Sequence, residues 1–200
     1  MMKALDLLQN KTIVLGSASP RRRQIFQELG LPYRVMAKSI DEDYPAHLRA
    51  GEIPLYLSRQ KADALRQHVA DNEILVTADT IVWINDSALN KPEGREEARK
   101  MLETISGCSH SVFTGVTIAY GDQSHSFWEE TRVHFHPLDK NEIEYYLDRH
   151  KPYDKAGAYG IQEFIGYIGI ARIEGDFYNV MGFPVQRFWR ELPPALSPQQ

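Results

Sequence analysis

The densest chemistry in the chain lies in Ser17-Ala18-Ser19-Pro20-Arg21-Arg22-Arg23. Ser followed by Pro is the pattern of an N-cap with Pro at the first helical position, so the three arginines fall in a helix's first turn. That end bears a partial positive charge, and each cation there is unfavourable by roughly 0.3–1 kcal/mol unless an anion offsets it. A phosphate does so, because backbone N–H groups, Ser hydroxyls and guanidinium forks all suit it. Successive helical residues point about 100° apart, so only one or two of the three arginines reach such an anion. The plainer alternative is a solvated Arg face with Ser19 acting only as cap.

A second candidate is Asp79-Thr80, directly after the apolar run Ile74-Leu75-Val76-Thr77-Ala78. A carboxylate at the end of such a strand stands at the sheet edge, where α/β proteins commonly bind ligands. There it could hold Mg²⁺ or activate a water; alternatively it caps a break between two strands. A third set is Glu42, Lys61, Lys91 and Lys155. Phosphoanhydride hydrolysis needs cations on the phosphate oxygens, a metal and a positioned water. Lys91 is immobilised by Pro92, and Lys155 sits among glycines that let backbone approach a ligand. Taken singly each is a surface residue, and their convergence is not written in the sequence.

The elements that must position these groups follow from the pattern. Thr12 to Gly16 is a short apolar strand. The helix opened by Ser19 carries Ile25, Phe26 and Leu29 on one face and stops at Gly30. Tyr33 to Ala37 is a second strand. A helix over about 54–69 presents Leu55, Ala62, Leu65 and Val69 at helical spacing. Strands follow at 74–78 and 81–84, then a helix at 94–105. Strands at 112–120 and 126–135 flank the Gly121-Asp122 turn as a hairpin. Asp139 and Glu142 form a capping box for a helix reaching His150. A loop over 151–162, a strand over 165–173 and a helix over 184–192 complete the chain. Helices and strands alternate but hairpins interrupt them, which predicts an α/β fold with a mixed, twisted sheet and flanking helices. One domain spans 1–200, with its core at about 12–192 and a flexible tail at 193–200.

Composition sets the limits. With 200 residues, 42% hydrophobic, the chain can bury one sizeable core. Its net charge of −4 argues against a general nucleic-acid binder, so an anion site must be a local basic pocket. Cys108 is alone, which excludes an internal disulfide and a thiolate zinc cage. No run is long enough to span a membrane, and the first residues lack a signal-peptide pattern, so the expected setting is the cytoplasm. Walker loop, GxGxxG and GxSxG motifs are absent.

Eight segments in order resemble the Maf family of nucleoside triphosphate pyrophosphatases. They are LGSASPRRR from Leu15, Asp41-Glu42, SRQKAD from Ser58, ADTIV from Ala78, LNKP from Leu89, SGCSHSVFTGV from Ser106, DKAGAYGIQ from Asp154 and YNVMGFPV from Tyr178. The resemblance implies two lobes around a central cleft, a Maf/ITPase-like arrangement, and release of pyrophosphate from a nucleotide. It casts Asp79 as proton acceptor for the attacking water and Ser17, Arg21 or Arg22, Lys61 and Lys91 as phosphate ligands. Lys155 joins the substrate-binding group, and Glu42 partners Asp79 on a divalent metal, Mg²⁺ or Mn²⁺. Arg21, Thr80 and Gln162 match the members that act on dTTP and UTP, and Gln162 suits the O4/N3–H edge of thymine or uracil. The implied partner is a nucleotide rather than nucleic acid or membrane, and a homodimer is permitted. Two departures, Gly16 for Ala and Asn90 for Gly, are expected to be harmless, Asn tolerating a left-handed turn before Lys91. The alternative from a different class is a nucleotide-binding regulator of septum formation that does not turn over.

Overall fold

The computed structural model describes residues 3–38, 40 and 42–196; Asp41, the first acid of the Asp41-Glu42 pair, lies outside them. The order is α1 (Lys3–Leu7), β1 (Thr12–Gly16), α2 (Pro20–Glu28), β2 (Tyr33–Val35), α3 (Glu52–Arg66), β3 (Glu73–Ile84), β4 (Ser87–Leu89), α4 (Arg95–Ile105), β5 (Ser109–Tyr120) and β6 (Gln123–Phe135). Then come α5 (Lys140–His150), a 3₁₀ turn at Ala156–Ala158, α6 (Phe164–Gly169), β7 (Ile170–Glu174), α7 (Phe177–Val180) and α8 (Val185–Leu196). One mixed sheet runs β2-β1-β3-β5-β6-β7, with β4 also on β3. The β1 strand is parallel to β2 and β3, and every other pairing is antiparallel. The expected α/β class with a mixed sheet and flanking helices is the one found.

Three long strands, β3, β5 and β6, carry two cores at their opposite ends. On one face of β3, Ile74, Val76 and Ala78 join α2 and α8 around Phe26, Phe183 and Phe188. Further along the same face, Val82 and Ile84 join α4 and α5 around Leu102, Ile105 and Tyr146. Residues two apart share a face of a strand, so Thr80 is the position that falls between the cores. The seam follows from the pattern itself: an apolar run interrupted by one polar pair.

Asp79 and Thr80 do not break the strand, as the sequence suggested, but lie inside a continuous twelve-residue β3. Along one side β3 pairs with β5 without interruption from Leu75 to Trp83. Along the other it pairs with β1 only as far as Gly16↔Thr77, and with β4 only from Val82↔Leu89. Residues 78–81 therefore have an open edge in the interior of the sheet, and that gap is the floor of a cleft.

Helix α3 covers the opposite face. Gly115, directly across from Asp79 in the β5 register, makes the close approach possible: a Cβ there would lie 2.3 Å from Leu55 N and Pro54 O. The contact is fastened by Ser58, whose Oγ meets Thr117 Oγ1 at 2.9 Å and whose carbonyl accepts from Thr77 Oγ1 at 2.7 Å. Lys61, one turn further on, is thereby aimed at Asp79.

Three local expectations need correction. The segment expected as a strand over 165–173 is helix α6 followed by β7; a short apolar run does not distinguish the two by periodicity. The tail expected over 193–200 is helical to Leu196, because Leu192, Ala195 and Leu196 are buried beside Ala4 of α1 and the following Leu8; residues 197–200 lie outside the described residues. Asn90 does not adopt a left-handed backbone; its carbonyl instead accepts from Gly157 N at 3.3 Å, tying the Lys91 loop to the Lys155 loop. Gly16, where the family often has Ala, is closely packed here: an added Cβ would sit 2.6 Å from Thr77 Cγ2 and 2.8 Å from Leu65 Cδ1. Gly16→Ala should cost roughly 1–3 kcal/mol in urea unfolding. Adding Thr77→Ser, which removes the obstructing methyl and keeps the hydroxyl on Ser58, should recover much of that loss. An additive pair would show the clash is not the cause.

Candidate active site

A cleft of about 760 Å³ opens over the β3 gap, within the range of small-molecule sites. All ten candidates from the sequence line it: Ser17, Arg21, Arg22, Glu42, Lys61, Asp79, Thr80, Lys91, Lys155 and Gln162. Six cations (Arg21, Arg22, Lys38, Lys61, Lys91, Lys155) face three carboxylates (Glu42, Asp79, Asp154) in this wall. A chain of net charge −4 thus concentrates positive charge in one place, as an anion site requires.

The α2 wall is built as its sequence dictates. Ser19 caps the helix, its Oγ accepting from Arg22 N at 3.5 Å, with Pro20 at the first turn. The three arginines diverge. Arg23 turns outward to Ala18 O at 3.3 Å. Arg21 remains at the cleft, its Nη1 donating to Asp154 Oδ2 at 3.5 Å. Arg22 turns inward and is only 8% exposed. Its Nε donates to Gly182 O at 2.7 Å, and its Nη1 donates to Ala78 O at 3.0 Å and Ser17 Oγ at 3.2 Å. Its Nη2 donates to Thr80 Oγ1 at 3.0 Å. Four of five guanidinium N–H groups are thereby committed to protein. Burial lowers its pKa to about 10, against the opposing pull of Asp79, and it stays charged at neutral pH. Gly182, at φ +106, adopts a backbone that side chains disfavour while offering its carbonyl to Arg22.

Across the floor, Lys61 Nζ lies 2.5 Å from Asp79 Oδ1 and 2.9 Å from Glu42 Oε1. Lys91 Nζ meets Glu42 Oε1 and Oε2 at 3.2 and 3.0 Å. Burial alone would raise the Glu42 pKa, but Lys61 and Lys91 together hold it below the ordinary carboxylate value. Lys155, 7% exposed, is held between Asp154 Oδ1 at 2.7 Å and Glu163 Oε1 at 3.1 Å. Gln162 lines the cleft, and its Oε1 is buried without a hydrogen-bond partner among the described residues.

Two carboxylates meet at one ammonium, and no group of three or more His, Cys, Asp or Glu side chains is placed to hold a metal among the described residues. Carboxylate oxygens are hard donors, and Mg²⁺ is commonly held by one or two of them with substrate phosphates and water. Glu42 and Asp79 fit that requirement. Sequence reasoning missed Asp154, Gly182 and Glu163. The first two lie within quoted motifs and could have been found there; Glu163 carries no local signal beyond adjacency to Gln162.

An open α/β sheet with a cationic cleft at an interior gap defines a nucleotide- or phosphate-handling class of protein. The family model of Maf-like proteins matches residues 12–194, and the chain belongs to that family. It is 47% identical over 195 residues to a dTTP/UTP pyrophosphatase of Cytophaga hutchinsonii, covering 98% of this chain and 89% of that one. Similar proteins of the same name occur in Bacteroides thetaiotaomicron (50% over 193 residues, 96% and 98% covered) and Parabacteroides distasonis (51% over 189 residues, 94% and 98% covered). A solved HAM1 protein from Coxiella burnetii shares the fold, with a TM-score of 0.50 at 16% identity over 92% of this chain and 100% of that one. No helix among the described residues is long and apolar enough to cross a membrane.

His110 supports the cleft from behind. It is 3% exposed, and its Nε2 lies 2.8 Å from Tyr159 OH, a residue of the wall. Burial, and secondarily His134, lower its pKa from 6.5 to about 4. The unfolded chain therefore binds the extra proton between those values, so the contribution to stability is complete above pH 6.5 and lost on acidification toward pH 4. The shift corresponds to about 3 kcal/mol. Urea unfolding from pH 7 to pH 4 should show this loss, and His110→Phe should flatten it; an unchanged slope in the variant would assign the acid limb to other groups.

Proposed function

We propose that the cleft hydrolyses dTTP and UTP, and modified pyrimidine triphosphates of the same base edge, to the nucleoside monophosphate and pyrophosphate. The observation that carries this is Asp79 at the open edge of β3, held 2.5 Å from Lys61 inside a wall of excess positive charge. Ser17, Arg21, Lys61 and Lys91 serve the β and γ phosphates. The α2 N-terminus adds its partial charge. Arg22 fixes the frame. Asp79 accepts a proton from the attacking water and directs it at phosphorus. The bond between the α phosphorus and its bridging oxygen breaks, and pyrophosphate leaves.

Mg²⁺ or Mn²⁺ would be held by Glu42 and Asp79 and would supply charge neutralisation on the phosphate oxygens. The ammonium between these acids keeps two like charges together in the free protein, where they would otherwise repel. Gln162 takes the base: its unpartnered Oε1 accepts from N3–H and its amide donates to O4. Thr80 acts through the frame, since its hydroxyl is engaged by Arg22 and lies 2.9 Å from Thr114 Oγ1. Lys155, committed to two acids, balances Asp154 and so shapes the pocket around Arg21. The lone cysteine agrees with a cytoplasmic setting.

The test is pyrophosphate release from dTTP, UTP, CTP, ATP, GTP and 7-methyl-GTP, with and without Mg²⁺ or Mn²⁺. Metal-dependent release favouring dTTP and UTP is expected. Asp79→Asn should keep nucleotide binding within a few-fold while turnover falls roughly 10²–10⁴-fold, the usual worth of a general base. Unchanged turnover would remove Asp79 from the chemistry.

A further inference from the structure

The pyrimidine-reading wall is held by a buried chain of groups that reaches well outside the cleft. Glu163 follows Gln162 directly, and both of its carboxylate oxygens are occupied. Oε1 lies 3.1 Å from Lys155 Nζ, and Oε2 accepts a short hydrogen bond from Tyr146 OH. Tyr146 belongs to α5 and is fully buried. Its hydroxyl oxygen also accepts from Gly160 N at 3.1 Å. The carboxylate rests against Gly160 itself, where a Cβ would lie 2.7 Å from Glu163 Cδ. From Lys155 the chain continues to Asp154 at 2.7 Å and, more weakly, to Arg21 at 3.5 Å.

The loop between the 3₁₀ turn and α6 is therefore fixed on both sides of Gln162: at Gly160 by the Tyr146 hydroxyl, and at Glu163 by Tyr146 and Lys155. No helix or strand spans residues 159–163; one backbone turn bond, Glu163 N to Gly160 O at 3.1 Å, closes the loop around Gln162, and these side-chain bonds anchor that turn to α5 and to Lys155. An amide that distinguishes UTP from CTP must hold its acceptor and donor in one orientation. The two bases differ only in exchanging donor and acceptor at N3 and position 4. A loop free to shift Gln162 relative to the base would lose that discrimination.

We propose that Tyr146 and Glu163 are positioning residues for base selectivity, locking the orientation in which Gln162 meets uracil or thymine and excludes cytosine. The proposal rests on the assignment of Gln162 to the base. It places the origin of discrimination one layer behind the residue that touches substrate, in a tyrosine of α5 and a carboxylate that never meets the nucleotide.

The test compares UTP with CTP in the full-length protein carrying Tyr146→Phe, Glu163→Ala or Glu163→Gln. The UTP:CTP ratio of kcat/KM should fall about tenfold in Tyr146→Phe and Glu163→Ala, the scale of one hydrogen bond's worth of orientation. The loss should appear mainly as a raised KM for UTP. Glu163→Gln, which keeps an acceptor for Tyr146, should retain most of the preference. A merely structural role would lower both substrates by one factor and leave the ratio intact, and that result overturns the proposal. Calorimetric binding of α,β-methylene-UTP and α,β-methylene-CTP provides an arm independent of turnover. If the wild type releases no pyrophosphate but prefers the uridine analogue, and the variants lose that preference, the hydrolytic reading fails and the positioning role stands. Equal wild-type affinity for the two analogues contradicts the positioning role even if hydrolysis occurs.

Discussion

A sheet with a gap in its interior exposes backbone groups that nothing in the ladder can satisfy, and the guanidinium of Arg22 answers that problem. Between the end of β1 and the beginning of β4 the β3 edge has no strand neighbour. Arg22 inserts there and takes the Ala78 carbonyl, the Gly182 carbonyl and the hydroxyls of Ser17 and Thr80. Those four partners come from separate parts of the chain: the β1–α2 turn, two positions of β3, and the segment between α7 and α8. A rigid planar fork can bridge them; a single ammonium on a flexible stem cannot do so in the same geometry. Buried carbonyls left without donors would each cost about 1–3 kcal/mol, so the gap and the arginine depend on one another.

The remaining chemistry follows from what the gap admits. Because β1 stops at Gly16, both faces of the pleat at Asp79 and Thr80 reach the same cleft, although consecutive strand residues point apart. Asp79 looks toward α3, where Gly115 lets the helix backbone close on the sheet and Lys61 reach the carboxylate. Thr80 looks toward the seam between the two cores and completes the Arg22 cage. The cations of the wall are nearly all paired in the free protein: Lys61 and Lys91 with Glu42, Arg21 and Lys155 with Asp154. Such pairs are poised to exchange carboxylate for phosphate oxygen, which keeps excess charge from destabilising the empty site.

The sequence carried the helix caps, the hairpin turn, the class of the fold and the identities of the cleft residues, because each of these is a local pattern. Ser19-Pro20 and the Asp139–Glu142 capping box are formed as read. It did not carry the gap, since whether β3 is one strand or two depends on β5 pairing straight across Asp79-Thr80. Nor did it carry the division of labour between Arg21 and Arg22, which was legible only as three directions 100° apart; burial by Gly182, some 160 residues away, decides which one turns inward. The α6 helix and the end of α8 were misassigned for a related reason. Their apolar residues are satisfied by partners remote in sequence, Ile165 in the second core and Leu196 in the first.

Arg22 is the frame of the cleft rather than only one more cation within it. The most direct measurement is Arg22→Lys, which preserves charge and removes the fork, followed by both urea unfolding and pyrophosphate release from dTTP. The expected result is a loss of roughly 2 kcal/mol or more in stability together with a fall in kcat/KM. A variant with wild-type stability, or one destabilised yet fully active, would contradict it.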